Sequence, residues 1–294
     1  MQVLIYSKII KPNEVPYVQE LIDALYKEAI YTYVYTPYFE ELIESGLRLN
    51  EQIAAFDNYY DFRKHKIDFV IVLGGDGTML SATTLVRDAN VPLIGINLGR
   101  MGFLASIDKK LIADAVISLK TGRYSLEERG LLYLESNLPI FEDIPFALND
   151  CTLLKRDTSS MITIHTFING DFLNSYWADG IIIATPTGST GYSLSCGGPI
   201  IFPTSSSFLI TPVAPHNLNV RPIVISDDAV VSFEIEGRAE NFLCTLDSRF
   251  ATITSFHQIA IRKCDFTIRL VQLNDMGFLQ TLRKKLAWGS DIRN

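Results

Sequence analysis

No stretch of the 294-residue chain approaches the ~20 apolar residues of a membrane-spanning helix; the best runs, Phe69–Leu73 and Ile181–Ala184, are short. No membrane partner is expected. The N-terminal stretch Met1-Gln-Val-Leu-Ile-Tyr6 carries no basic leader and no small-residue cleavage site, which predicts a cytoplasmic protein. Cysteine is sparse and scattered: Cys151, Cys196, Cys244 and Cys264 form no CxxC pair, and His65, His165, His216 and His257 fall at no ligand spacing. Reduced thiols and no structural zinc follow. Positive charge is also short, because 26 Lys+Arg against 33 Asp+Glu leave a net charge of -7. No global field exists to hold nucleic acid through many phosphates, so an anionic substrate must be gripped locally.

The chain has the apolar content of a folded protein, 48% hydrophobic and 20% charged, and its length suits two ordinary domains with their own cores. Its first third alternates strand and helix patterns. Val3–Tyr6, Tyr31–Tyr35, Phe69–Leu73 and Pro92–Ile96 read as strands, and Val18, Leu21, Ile22 and Leu25 repeat at helical spacing behind Pro16. Residues 39–64 read as largely helical. Ile112, Ala115, Val116 and Leu119 form another stripe, with Asp108 as N-cap and Gly122 as stop. Such alternation predicts a parallel, doubly wound sheet. Beyond about residue 122 the period becomes two, as in Ile162–His165 and Val231–Glu236, and Asn169-Gly170 signals a type I′ hairpin. Leu279, Leu282 and Leu286 predict a final amphipathic helix.

The resulting fold class is an α/β N-terminal domain with a parallel sheet, residues 1–122, followed by a β-rich domain, 123–270. A C-terminal segment, 271–294, is expected to be helical and to pack back on the body.

Two stretches carry chemistry. Gly74-Gly75-Asp76-Gly77-Thr78 follows a buried strand and opens a helix whose Met79, Ala82 and Val86 share a face. Glycines let a phosphate approach backbone N–H groups, and a helix start supplies unpaired donors and a positive dipole end. The sequence is neither a P-loop nor a dinucleotide fingerprint. Asp76 is unusual there, since a carboxylate repels phosphate unless a metal or a proton transfer needs it; the alternative is simple helix capping. The second stretch, Asp179 to Pro199, runs from an apolar strand into Thr185-Pro-Thr-Gly-Ser-Thr-Gly191, where four hydroxyls and two glycines suit the phosphates and riboses of a nucleotide.

The first stretch resembles the GGDGT/S turn of NAD kinases, diacylglycerol and sphingosine kinases and phosphofructokinases. The second closely resembles the D-G-x-x-x-[S/A]-T-P-T-G-S-T-A-Y-x-x-S-x-G-G-P signature of NAD kinases, which the lipid kinases lack. Asn97-Leu-Gly-Arg-Met-Gly-Phe-Leu104 is similar to that family's N-x-G-x-x-G-F-L turn, Asn149-Asp150 to its Asn-Glu pair, and Pro215–Leu218 with Arg221-Pro222 to its C-P-H-x-L-x-x-R-P segment. Phe278–Arg293 resembles its tail.

The resemblance implies a β-sandwich-like second domain and phosphorylation of the adenosine ribose 2′-hydroxyl of NAD by ATP. It also implies a divalent cation, magnesium delivered with ATP, and a homodimer or homotetramer. Asp76 would accept the hydroxyl proton, while Gly74, Gly75, Gly77 and Thr78 hold phosphate or ribose. Asn149, Asp150 and Asp179 would bond the dinucleotide, and Thr190, Gly191, Tyr192, Ser195 and Ala214 would line its adenine and ribose pocket. Tyr192 also reads as a core aromatic. Asp247, Ser248 and Arg249 match a D-[GS]-Q-like turn, where Arg249 fits either a phosphate contact or a surface salt bridge. His216 fits a bond to backbone better than a role in the site. The chain departs from the pattern at Asp150 for glutamate and Gly191 for alanine, and Trp177 stands where relatives vary. A kinase for a lipid or sugar acceptor, and a non-catalytic NAD(P)-binding regulator, are the alternative readings.

Overall fold

The computed structural model describes residues 1–156, 160–273 and 277–288. The chain divides into two compact units, Met1–Glu128 with Ile268–Asn294, and Arg129–Thr267.

In the first unit, β1 (Gln2–Tyr6), β2 (Tyr31–Tyr35), β3 (Ile53–Phe56), β4 (Phe69–Leu73) and β5 (Leu93–Asn97) pair in parallel in the order β3-β2-β1-β4-β5. Beside β5 lies the end of the long strand Ile259–Gln272, parallel, with Leu270 opposite Leu93. Helices α1 (Val15–Lys27), α2 (Thr36–Glu44) and α4 (Ile112–Thr121) bury their apolar stripes on one core with Val3, Ile5, Val34, Ile71 and Ile94. Helix α3 (Asp76–Val86) buries Met79, Ala82 and Val86, and a Cβ on Gly95 of β5 would lie 2.9 Å from the Met79 sulfur. Strands covered on both faces must be apolar throughout, as the fully buried β4 is. Asp108 caps a short turn, Lys109–Leu111, that leads into α4, by accepting the Lys110 N–H at 2.9 Å.

Residues 39–64 are not largely helical. Helix α2 stops at Glu44, and Ile53–Phe56 is the edge strand β3, followed by a 3₁₀ turn, Tyr59–Arg63, that Asn58 caps. Pairing with β2 at the sheet edge outweighs local helical preference in a segment of weak periodicity.

The second unit is built from antiparallel strands in two sheets. One runs in the order Ile223–Ser226, Ser207–Val213, Gly180–Ala184, Asp150–Lys155, Phe242–Leu246, Arg249–Ile253. The other pairs Asp171–Ala178, Ile162–Ile168, Val231–Glu236 and the start of Ile259–Gln272. Residues from both sheets, among them Leu153, Ile181, Phe242, Ile164 and Phe233, share one core, which makes the unit a β-sandwich. Asn169 and Gly170, at φ +52° and +87°, join two of its strands through a two-residue turn.

Phe278–Leu286 is helical, but its buried residues are Thr281 and Leu282, while Leu279 is half exposed. Of the expected tail Phe278–Arg293, residues 289–293 lie outside the described residues, as do residues 274–276 and 294 of the expected C-terminal segment.

Candidate active site

The strand order of the first unit reverses direction between β1 and β4, the place where open α/β sheets leave a crevice at the carboxyl ends of their strands. Ser7, directly after β1, bonds the Leu73 carbonyl at the end of β4 through its Oγ at 2.7 Å. A cavity of about 280 Å³ opens there, lined by Lys8, Lys11, Gly74, Gly75, Thr78 and Arg100. The Gly74 N–H donates to the Ile96 carbonyl and the Thr78 N–H to the Gly75 carbonyl, both at 3.0 Å, while the dipole of the α3 N-terminus and the basic side chains favour an anion in this cavity.

Asp76 opens α3, and its carboxylate is anchored. Oδ2 accepts the Phe103 N–H at 2.8 Å, and Oδ1 accepts those of Leu104 and Ala105 at 2.9 and 3.0 Å. A Cβ on Gly102 would stand 1.9 Å from Oδ1, so only glycine lets this turn close on the carboxylate. Asn97 shapes the same turn, accepting the Gly99 N–H at 2.6 Å and donating to the Ala105 carbonyl at 3.4 Å. The two glycine-containing motifs of this unit are thus one device. Asp76 does not cap its own helix, which has no side-chain cap.

In the second unit, the buried strand Gly180–Ala184 delivers the hydroxyl-rich turn. Its hydroxyls do not face outward as a ligand surface. Thr185 Oγ1 donates to the Leu148 carbonyl at 2.6 Å and accepts the Gly188 N–H at 3.1 Å, and Ser189 Oγ donates to the Pro186 carbonyl at 2.7 Å. Thr187 is buried within 3.3 Å of Arg129 Nη1, and Thr190 Oγ1 donates to the Thr187 carbonyl at 3.2 Å. Buried hydroxyls must find partners, and here the nearest backbone supplies them.

That folded turn presses on Asn149 and Asp150. A Cβ on Gly188 would lie 2.0 Å from the Asn149 carbonyl oxygen, and one on Gly191 would lie 3.6 Å from both Asn149 Nδ2 and Asp150 Oδ2. Asn149 Oδ1 is buried with no hydrogen-bond partner among the described residues. Asp150 is 7% exposed, and burial, with the nearby Asp247 carboxylate second, pushes its carboxyl up to about 7. Asp247 accepts the N–H groups of Leu148, Asn149 and Asp150 at 2.9, 2.7 and 3.2 Å.

Asn149, Asp150 and Gly191 therefore come together. Tyr192 beside them is 41% exposed and is not a core aromatic. Asp179 is ion-paired with Lys155 at 2.6 Å. Ser195 and Ala214 are exposed, the latter at φ +44°. The Arg249 guanidinium donates to the Ile144 and Phe146 carbonyls and lies over the Phe141 and Phe146 rings. The His216 N–H donates to the Trp177 carbonyl at 2.9 Å, and the two rings stack at 4.3 Å. Sequence reasoning missed the amide-binding role of Asp247, the partnership of Gly102 with Asp76, and the basic residues Lys8 and Arg100.

Residues 3–124 match the ATP-NAD kinase N-terminal domain and residues 148–273 the ATP-NAD kinase C-terminal domain. A NAD kinase of Cytophaga hutchinsonii is 46% identical over 290 residues, covering 99% of each chain. The chain belongs to the NAD kinase family. A second member, from Flavobacterium psychrophilum, is 42% identical with both chains covered completely. Phosphorylation of NAD is the activity of this family of enzymes, and of this chain. Solved structures share the fold: a yeast NADH kinase complexed with NADH has a TM-score of 0.86 at 24% identity, covering 100% of this chain and 89% of that one. A NAD kinase from Archaeoglobus fulgidus in complex with ATP has a TM-score of 0.73 at 21% identity, covering 98% and 99%.

Proposed function

We propose that this NAD kinase family member transfers the terminal phosphoryl group of ATP to the adenosine ribose 2′-hydroxyl of NAD, with Asp76 accepting the hydroxyl proton. The anchoring of Asp76 carries the reading. A carboxylate offers about four lone-pair positions, and three accept backbone N–H groups, which leaves one on Oδ2 held in fixed orientation for a hydroxyl. Gly74, Gly75, Gly77 and Thr78 border a cavity or helix start suited to phosphates. Asn149, with its unpartnered Oδ1, and Asp150 suit ribose or amide groups of the dinucleotide. Thr190, Gly191, Tyr192, Ser195 and Ala214 are assigned to the adenine and ribose pocket, and Asp179 and Arg249 to polar contacts.

Magnesium would be carried on ATP. Magnesium keeps several waters and binds through phosphates with one or two carboxylates, and when bound it neutralises charge on the transferring group. A homodimer or homotetramer completes the proposal. The four free thiols suit a cytoplasmic, reducing setting.

Incubation of the protein with NAD and Mg-ATP should yield NADP, detected with an NADP-specific dehydrogenase. Asp76→Asn should fold and lose ~10²–10⁴-fold in turnover, the contribution of a positioned base. Near-wild-type turnover of that variant would remove Asp76 from the reaction.

A further inference from the structure

We propose that Asp247 is a positioning residue for dinucleotide binding: by accepting three consecutive backbone N–H groups it fixes Asn149 and Asp150 in the orientation in which they meet NAD. The inference rests on the assignment of Asn149 and Asp150 to the dinucleotide. Asp247 sits in the two-residue turn between strands Phe242–Leu246 and Arg249–Ile253 at φ +53°, and its own N–H donates to the Asp150 carbonyl at 2.9 Å. Four hydrogen bonds therefore tie one turn residue to a three-residue segment almost a hundred positions away. On the opposite side, Thr185 holds the Leu148 carbonyl and donates its N–H to the Asn149 carbonyl at 2.9 Å. With the main chain clamped from both sides, Asn149 Oδ1 is left as a buried acceptor with nothing to accept from among the described residues. Leaving such an atom unpaired is costly, and a ligand donor relieves the cost.

The clamp also sets charge. The titratable groups around Asp150 are Asp247, which Arg249 faces; Cys151 on the same strand with Cys244 beside it; and Tyr192 and Cys196 from the turn after Gly191. Cys151, Tyr192 and Cys196 are all raised above their ordinary values, chiefly by burial in the latter two and by the Cys244 hydrogen bond in the first, so they stay neutral near pH 7. Asp247, itself raised by burial against the lowering effect of its three N–H partners and Arg249, is the carboxyl that bears on Asp150.

Asp247→Asn keeps the side-chain volume, removes the charge, and puts an NH₂ group against amides that need an acceptor. By calorimetry, NAD affinity should fall ~10-fold or more while ATP affinity stays within about twofold, and the pH midpoint of NAD binding should move to lower pH. Equal loss of both nucleotides, or an unmoved midpoint, overturns the proposal. Should the variant fail to fold, hydrogen exchange on the wild type decides: the amides of residues 148–150 should exchange as slowly as those of the strand Asp150–Lys155 that follows, and fast exchange overturns the clamp. Turnover is read separately. A wild type that makes no NADP refutes the kinase reading, whereas selective loss of NAD binding in Asp247→Asn upholds the positioning role in either case.

Discussion

Asp76 and Asp247 each spend most of their acceptor capacity on three neighbouring backbone N–H groups, and Asp150 does the opposite. Its carboxyl is buried, receives no hydrogen bond among the described residues, and faces another carboxylate. That has a price in stability. Because burial and Asp247 raise the Asp150 pKa from 3.8 to about 7, the folded state holds this proton more tightly than the unfolded chain does. The resulting stability is full below about pH 4, declines as pH rises, and is gone above about 7. With each pKa unit worth ~1.4 kcal/mol, the loss is at most about 4 kcal/mol. Asp150→Asn cannot ionise. Relative to wild type, it should therefore gain stability in thermal melts at pH 8 but little at pH 4, while NAD binding weakens. Equal shifts at both pH values would show that the carboxyl does not titrate there.

At the scale of elements, the turn after Gly180–Ala184 shows how Thr185 and Ser189 hold a site together through backbone carbonyls. Thr185→Val removes one donor to the Leu148 carbonyl and one acceptor for the Gly188 N–H, both buried. A cost of ~1–3 kcal/mol in chemical denaturation is expected, together with weaker NAD binding, because the Leu148 carbonyl beside Asn149 loses its tie. The apolar periods of α1 and α4, the buried strands and the Asn169-Gly170 hairpin were legible in the sequence, since each depends on residues near one another in the chain. The strand Ile53–Phe56 was not, because its partner β2 decides it. Likewise the glycine-rich motifs announced a nucleotide site, but not how they lock. The bonds from Asp76 span 27 to 29 residues and those from Asp247 span 97 to 99, separations over which no local pattern runs. Thr185, Thr187 and Ser189 are buried with backbone or Arg129 partners, which composition does not reveal.

At the scale of the whole molecule, the first unit is discontinuous in sequence. Its β5 pairs with Leu270, and Val271 belongs to its core, 5% exposed. A chain ending at Thr267 should retain every assigned nucleotide-site residue yet lose thermal stability and NADP formation, whereas one ending at Leu273 should keep the melting transition of the first unit. Equal melting curves for the two would show that β5 needs no neighbour. The order of synthesis follows from this. A ribosome releases Gln2–Asn97 early, and Ile107–Asp108 soon pairs with the Ile96–Asn97 end of β5, but the strand that pairs beside Leu93 emerges some 170 residues later, after the sandwich strands have appeared. Until then the glycine-rich turn sits on a sheet whose flank at Leu93 is open, so the nascent phosphate-binding half is exposed to aggregation until that strand has been made.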